Sequence, residues 1–552
     1  MARRNLSALV CALALLALVG GESDVSQPLE NESELTEFEA FRVVEYDERG
    51  EPRGCRQGKV GMSAATTAAG NLKKRMVVLN FAEATVSLLA ELRFGPHKAG
   101  GLLIVLPSPE ELAAGVGADD TERFHAVEQA LLKGKWDVPV YFAFDNAETR
   151  KLAAKLASGN GDAPQLVATG AYAAGRKSVQ QVANFHGWLA GKGAKGEGIE
   201  SLPVIAVVAS YDSLAVAPDL AVGADANGSG LVAILQLARI FSKLYDNLEQ
   251  GRYNLMFVLT AAGKLDYAGT RFWLEQTDSR LLDRIEFALC LDSIGNGDAI
   301  YVHTSKQPSK DKVPAVAKLF GTLKDAAKQM QPALPLEIVR KKINVSAAVA
   351  WEHEQFSRKD ILAVTLSGHA THAPALRASI LDRRVAPDVL ARNIAFVASA
   401  IAKVAFDSQL PANMPGPQRK FLDVWVNNTA REPRMAALPT KGAIDLMAQA
   451  EQVLKDTSHE FQKQPFTLGP ERSFYAHAYT VRIGVYDTKP LSFDLMMTAC
   501  TMVYLFAILV ALVGRAEAVK VVGELFKGSK RKQRCSPRTV VRTARSQSRQ
   551  DS

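Results

Sequence analysis

LPVIAVVASYDS (202–213) opens the series of segments that decides the fold. It is a continuous apolar, β-rich run, as expected of a strand covered on both faces of a sheet. GADANGSG (223–230) follows and leads into GLVAILQLARIFSKLY (230–245), whose apolar residues recur at helical spacing. YNLMFVLTAAG (253–263) is a second strand, LDYAGTRFWLEQT (265–277) enters a second helix, and RIEFALCLDSIG (284–295) is a third strand. Strand, helix, strand, helix, strand with short links predicts a mainly parallel mixed sheet covered by helices, an α/β fold.

The pattern continues outward in both directions. Further strands are expected near 299–304 and 361–367, and a core-packed helix over 386–406. Upstream, RMVVLNF (75–81), AGGLLIVLP (99–107), DVPVYFAF (137–144) and QLVATGAY (165–172) read as strands of an N-terminal α/β lobe. Helices are expected over 121–133 and 149–157, and GRKSVQQVANFHGWLAG (175–191) also has helical spacing. Residues 22–40 are acidic and polar and read as an irregular start. Residues 410–420 hold three prolines and read as a linker, and 444–464 as one helix.

The two ends of the chain point to a membrane. Arg3 and Arg4 precede an apolar run over 6–19, with small residues at Val19 and Gly21 for cleavage. This is the pattern of a secretory signal over 1–21, an uncleaved anchor being the alternative. LMMTACTMVYLFAILVALVG (495–514) has no charge; at 1.5 Å per residue its 20 residues cover about 30 Å, the thickness of a bilayer core. From Arg515 onward there are 11 Lys and Arg against 3 Asp and Glu, which accounts for the whole formal charge of +8. The basic surplus therefore belongs to a tail, not to a DNA-binding face. With KGSKRKQR (527–534) on the cytosolic side, residues 22 to about 493 face the lumen, a single-pass type I topology. The tail serves orientation, or it binds anionic headgroups or ribosomal RNA.

The expected organisation is then a signal over 1–21, an N-terminal lobe over 22–200, a second domain over 201–408, a linker and juxtamembrane helical region over 409–493, a transmembrane helix over 494–514 and a cytosolic tail over 515–552. Of the five cysteines only Cys55 and Cys290 fall in the lumenal part; one disulfide is possible there, although Cys290 lies in an apolar run and reads as a core residue. The lumenal sequons begin at Asn31, Asn227, Asn344 and Asn427. A glycan on Asn227 would obstruct the mouth of the site described next.

The strand ends of 204–295 resemble those of the M28 clan of zinc aminopeptidases, whose pattern is roughly A-H-x-D-S, G-A-D-D-x-x-S-G, E-E-x-G-x-x-G-S, L-D and a late His. In that clan two zinc ions are held by two His, a bridging carboxylate and further carboxylates, and a free Glu acts as general base. Matched residue by residue, the first zinc His corresponds to Ser210, the bridging Asp to Ala226, and the Glu pair to Gly263 and Lys264. Asp212, Asp225 and Asp292 are retained; the late His is His369 or His372, with His372 favoured by its place before Ser379-Ile-Leu-Asp382. The match implies an aminopeptidase-like fold without the catalytic constellation, and no cofactor. Lys264 is expected to pair with Asp292 and Asp225.

GADANGSG, Ala-Gly-Lys (262–264), AWEHEQF (350–356) and the basic tail further resemble the nicalin type of degenerate, nicastrin-related M28 chains. That resemblance implies a scaffold in the endoplasmic reticulum membrane. The implied partners are a Nodal modulator-like protein and a transmembrane protein 147-like protein, with the translocon and ribosome-associated insertion machinery. It also implies a role in multi-pass membrane protein insertion and a link to Nodal signalling and receptor assembly. Two other readings remain open at this point. One is a working zinc aminopeptidase with ligands rearranged among Glu352, His353, His369 and His372, where Glu352 and His353 read otherwise as a polar rim. The other is a nicastrin-like substrate gate of an intramembrane protease.

Overall fold

The computed structural model describes residues 34–48, 51–158, 163–169, 177–178, 181–192, 201–247, 251–305, 313–342, 349–406, 414–435, 441–469, 472–475, 479–487, 491–514, 517 and 520. The chain forms two compact units, Met1–Asp487 and Thr488–Ser552. The signal over 1–21, nearly all of the basic tail, Asn31 and Asn344 lie outside the described residues.

The first unit is built on an eight-stranded mixed sheet. Its order is Leu336–Lys341, Ile300–Ser305, Ala363–Ser367, Ile285–Leu291, Val204–Ser210, Asn254–Thr260, Gln181–Leu189 and Glu460–Thr467. Four of the seven pairings are parallel and three antiparallel. The parallel character expected from 202–295 is continuous across the four strands Ala363–Ser367, Ile285–Leu291, Val204–Ser210 and Asn254–Thr260. Val204–Ser210 and Asn254–Thr260 are buried at every position, which is why they read as unbroken apolar runs. Register places Ser210 beside Thr260, and Leu291 beside Leu366. The loops 211–227, 261–267, 292–299 and 368–373 therefore leave the sheet along one edge, at the carboxyl ends of the parallel strands. The helices Gly228–Asn247 and Pro387–Ala405 pack into the main core.

The N-terminal lobe is a closed barrel of seven strands: Glu34–Arg42, Thr480–Tyr486, Gln165–Thr169, Gly61–Ala65, Met76–Asn80, Gly101–Leu106 and Val140–Phe144, the last pairing back to the first. Three sequence expectations change here. Residues 34–40, read as an irregular start, form a barrel strand paired from Glu34↔Tyr486 to Phe41↔Thr480. The stretch 409–493 is not simply linker and juxtamembrane helix, because its strand Thr480–Tyr486 completes the barrel and Glu460–Thr467 forms an edge of the large sheet. The helix read over 444–464 ends at Thr457.

The helix read in 175–191 is also replaced, by the strand Gln181–Leu189. Its apolar residues fit both periods, and pairing on both sides, with Asn254–Thr260 and Glu460–Thr467, decides the outcome. Cys55 and Cys290 are both free and buried, in separate cores, so they form no disulfide.

In the second unit the helix Leu491–Val513 contains an 18-residue window, Leu495–Leu512, with mean hydropathy 2.3 and none of it buried. Its length and composition suffice to cross a bilayer.

Candidate functional site

The four loops at the carboxyl edge bring Ser210, Asp212, Asp225, Ala226, Gly263, Lys264 and Asp292 into one region, together with residues the sequence reading did not single out. The position matched to the first zinc His shows how the region is filled. The Ser210 hydroxyl lies 3.0 Å from Thr260 Oγ1 and 3.3 Å from Glu352 Oε1. Thr260 and Thr270 donate to the same Glu352 oxygen at 2.8 and 2.6 Å. Glu352 is thus buried under three hydroxyls, and burial pushes its carboxyl up to about 7. His353 is buried as well, its Nδ1 2.9 Å from Thr365 Oγ1, and burial together with His303 pulls it down to about 3. The expectation of a polar rim at 352–353 is therefore corrected: both side chains are interior.

Asp212 accepts the backbone N–H groups of Gly263 and Lys264 at 2.6 and 3.3 Å. Burial raises its carboxyl, and those N–H groups and the Lys264 charge hold the rise back. A Cβ built on Gly263 would overlap the Ser210 hydroxymethyl group, so the place matched to the general base has no room for a side chain. Asp225 accepts from Gly295 N at 2.7 Å and from Asn296 Nδ2 at 3.0 Å. Asp382 accepts the N–H groups of Asp225 and Ala226 at 2.9 and 2.8 Å. Burial pushes both carboxyls above the usual carboxylate range, and the charge of Asp292 adds to the rise in Asp225 as that of Asp225 does in Asp382.

Arg377, not Lys264, meets Asp292. Its Nη2 lies 2.9 Å from Asp292 Oδ2 and 2.5 Å from the Tyr267 hydroxyl, Nη1 donates to Ala350 O, and the guanidinium lies 4.9 Å from the Trp351 ring centre. Burial alone would raise the Asp292 carboxyl, but the Arg377 and Lys264 charges outweigh it and hold it low. The expected pairing of Lys264 with Asp292 and Asp225 does not form. Lys264 Nζ is buried with no hydrogen-bond partner among the described residues, and burial and Arg377 pull it down to about 8. An arginine reaches Asp292 better because its planar fork also satisfies Tyr267 and Ala350. No spacing from the L-D motif marks residue 377; the signal available was only an arginine in the segment before Asp382.

His369 lines a cleft of about 240 Å³ with Asp225, Ala226, Asn296 and Asp382, whereas His372, favoured from sequence, packs edge-on against Trp351 at 5.5 Å. Burial and Arg377 pull His372 down to about 4. Asn227 is buried and its Nδ2 donates to the Asp212 carbonyl at 2.8 Å, which leaves no room for a glycan there in the folded protein. Asn427 is exposed on the helix Arg419–Thr429. Another unforeseen residue is Arg434, buried, donating to Tyr211 O and Gly223 O within the loop 211–227 and to Thr429 O at the end of the helix Arg419–Thr429, so tying that loop to that helix.

The backbone here is unusual. Asn227, Ala262, Asp266, Tyr267 and Ser293 all have positive φ, five of the seven such non-glycine residues described, and all lie in these loops. Such conformations gather where loops must deliver groups to one point. The chemistry delivered does not suit zinc. Ala226 and Gly263 offer no donor, Ser210 is committed to its hydroxyl cluster, and Asp292 already faces a guanidinium. Among the described residues no group of three or more His, Cys, Asp or Glu is placed to hold a metal ion. Glu352, His353, His369 and His372 are not gathered into one.

The comparisons with known proteins agree with this geometry. The family model described as the Nicastrin large lobe matches residues 203–406. The crystal structure of the gamma-secretase component Nicastrin superposes with a TM-score of 0.60 at 11% identity, covering 81% of this chain and 99% of that one; at that identity it speaks to the fold alone. Nicalin of Caenorhabditis elegans is 28% identical over 489 residues, 83% of this chain and 81% of its own. BOS complex subunit NCLN of Homo sapiens is 32% identical over 519 residues, 87% of this chain and 90% of its own. With that identity over most of both chains, the protein belongs to the nicalin family of BOS complex subunits.

Proposed function

We propose that this chain is a catalytically inactive, peptidase-like scaffold subunit of a membrane complex in the endoplasmic reticulum. Its first unit is lumenal, its helix Leu491–Val513 spans the bilayer once, and its basic tail is cytosolic, following removal of the signal over 1–21. The observation that carries the reading is the filling of the former site by the protein's own groups. Ser210 occupies the space a side chain at 263 would need, and Arg377 supplies the positive charge that Asp292 requires. A buried carboxylate paired in this way is stable without a metal, and evicting the guanidinium would leave two buried charges to resolve. Asp212 and Asp225 then act as loop fasteners through backbone N–H groups, not as ligands.

The relatives named as BOS complex subunits support assembly with other chains. The partners proposed are a Nodal modulator-like protein and a transmembrane protein 147-like protein. The assembly works beside the translocon during multi-pass membrane protein insertion, with effects on Nodal signalling and receptor assembly. The test is purification of the tagged full chain from microsomes in a mild detergent, with co-purifying chains identified by mass spectrometry and bound zinc measured on the same sample. Recovery of those partners without stoichiometric zinc is expected. Recovery of the chain alone, with an intramembrane protease, or with zinc at one ion or more per chain overturns the reading.

A further inference from the structure

The opposite pole of the barrel carries a different kind of site. At the amino ends of its parallel strands, a cleft of about 670 Å³ is lined by Gly61, Met62, Lys73, Lys74, Pro96, Lys98, Ala99 and Gly100. Two turns form it, one before the strand Met76–Asn80 and one before Gly101–Leu106. They are pinned together: Gly100 N–H donates to the Leu72 and Arg75 carbonyls, and a Cβ on Gly100 would collide with the Lys74 backbone. The lysines therefore project from a fixed frame.

Three features of this cleft point the same way. All three lysines are exposed, and among the described residues none has a carboxylate within ion-pair distance. No acidic residue lines the cleft, so its positive charges are answered only by solvent. Lys74 has φ +65°, a left-handed conformation that a glycine or asparagine would adopt at lower cost. The backbone geometry of the turn gives no preference for lysine at this position. Beside the cations lie apolar groups, Met62 and Pro96, in the lining. Point-like ammonium groups on flexible stems suit a multiply charged anion rather than a planar carboxylate pair. The apolar neighbours suit an anion that carries a hydrocarbon part.

We propose that this cleft binds phosphate-bearing anions, either a phosphorylated lipid headgroup or a soluble phosphate. The test uses the full chain in neutral phosphatidylcholine nanodiscs. Inorganic pyrophosphate and water-soluble dioctanoyl phosphatidylinositol 4-phosphate are titrated separately by calorimetry at low and at high salt. The expected result is saturable binding that weakens with salt. It should fall about fivefold in Lys74→Gly. It should disappear in the triple variant Lys73→Gln, Lys74→Gln, Lys98→Gln. Lys74→Gly is chosen because glycine accepts the same φ, so an unchanged thermal midpoint shows that the loss is one of charge. Saturation by both probes identifies a phosphate site, and saturation by the lipid analogue alone identifies a headgroup site. Failure of both probes to saturate below millimolar concentration, or binding that the triple variant retains, overturns the proposal.

Discussion

The carboxyl edge of the large sheet and the amino pole of the barrel both concentrate charge, but only one of them keeps it available. At the carboxyl edge the charges are buried, and the acids are answered from within, Asp292 by Arg377, Asp212 and Asp225 by backbone N–H groups and Glu352 by three hydroxyls, while the Lys264 ammonium has no hydrogen-bond partner among the described residues. At the barrel pole the lysines are in water and need no internal partner. The difference follows from the cost of desolvation. A buried ion without a partner costs roughly several kcal/mol, so a buried carboxylate must be answered by the protein's own groups or stability is lost. An exposed ammonium costs almost nothing to leave open, and so stays free for a ligand.

The comparison is most exposed to attack at Arg377. Arg377→Ala leaves Asp292 buried and unpaired and should cost about 3–5 kcal/mol, read as a fall in the thermal or denaturant midpoint. Combining Arg377→Met with Asp292→Asn removes both charges and should destabilise less than Arg377→Ala alone. If the single variant is as stable as the parent, the guanidinium is not what holds the Asp292 charge in place.

A second test uses pH. Glu128 is fully buried, accepts the Ile380 N–H at 2.8 Å and bonds the Ser379 hydroxyl at 2.5 Å, and so fastens the barrel helix Ala118–Lys133 to the loop that carries Arg377 and Asp382. Burial pushes its carboxyl up to about 8. Its folded value lies above its unfolded one, so its contribution to stability is complete below the unfolded value and is lost as pH rises through about 8. Stability should therefore fall between pH 5 and pH 8, on the order of 3 kcal/mol from this group. Glu128→Gln, neutral and of the same shape, should flatten that slope while changing little at pH 5. An unchanged slope would mean that Glu128 does not titrate there.

The packing at Gly263 gives a smaller effect. Gly263→Ala should cost about 1–3 kcal/mol, because the new methyl meets Ser210. Adding Ser210→Gly should recover part of that, and a Gly263→Ala variant of parental stability would show that the space is not filled. The smallest effect belongs to the exposed pole. Lys74→Gly should leave stability within about 1 kcal/mol of the parent, since relief of the left-handed φ offsets the flexibility gained by the unfolded chain. A larger loss would mean that the lysine holds the turn together and is not free.

How much of this was readable depends on how far apart the contributing residues lie in the chain. The strands Val204–Ser210, Asn254–Thr260 and Ile285–Leu291 and the helix Gly228–Asn247 were legible because their periodicity is local and uninterrupted. The strand Gln181–Leu189 was not, because Val182, Phe185 and Leu189 satisfy a helical spacing until neighbours pair on both edges. The barrel was hidden for a similar reason. Glu34–Arg42 and Thr480–Tyr486 lie more than four hundred residues apart in sequence, and nothing in either names the other. At the site, Ser210, Ala226, Gly263 and Lys264 are found from motif spacing and Glu352 lies in AWEHEQF (350–356), where it reads as a rim residue, whereas Arg377 and Arg434 come from segments without a motif.

Which donors are present at these positions follows from the residue types alone. A serine, an alanine and a glycine cannot do the work of a histidine, an aspartate and a glutamate, and that statement needs no coordinates. The residue types also set the apolar length of Leu491–Val513, since crossing a bilayer depends on composition along one helix. Which groups meet one another at this edge depends on the folded arrangement. The choice of Arg377 over Lys264 as the partner of Asp292, and the burial of Glu352 under three hydroxyls, depend on which side chains reach the same dry volume. That is settled by packing and desolvation over the whole fold, where distance along the chain carries no information.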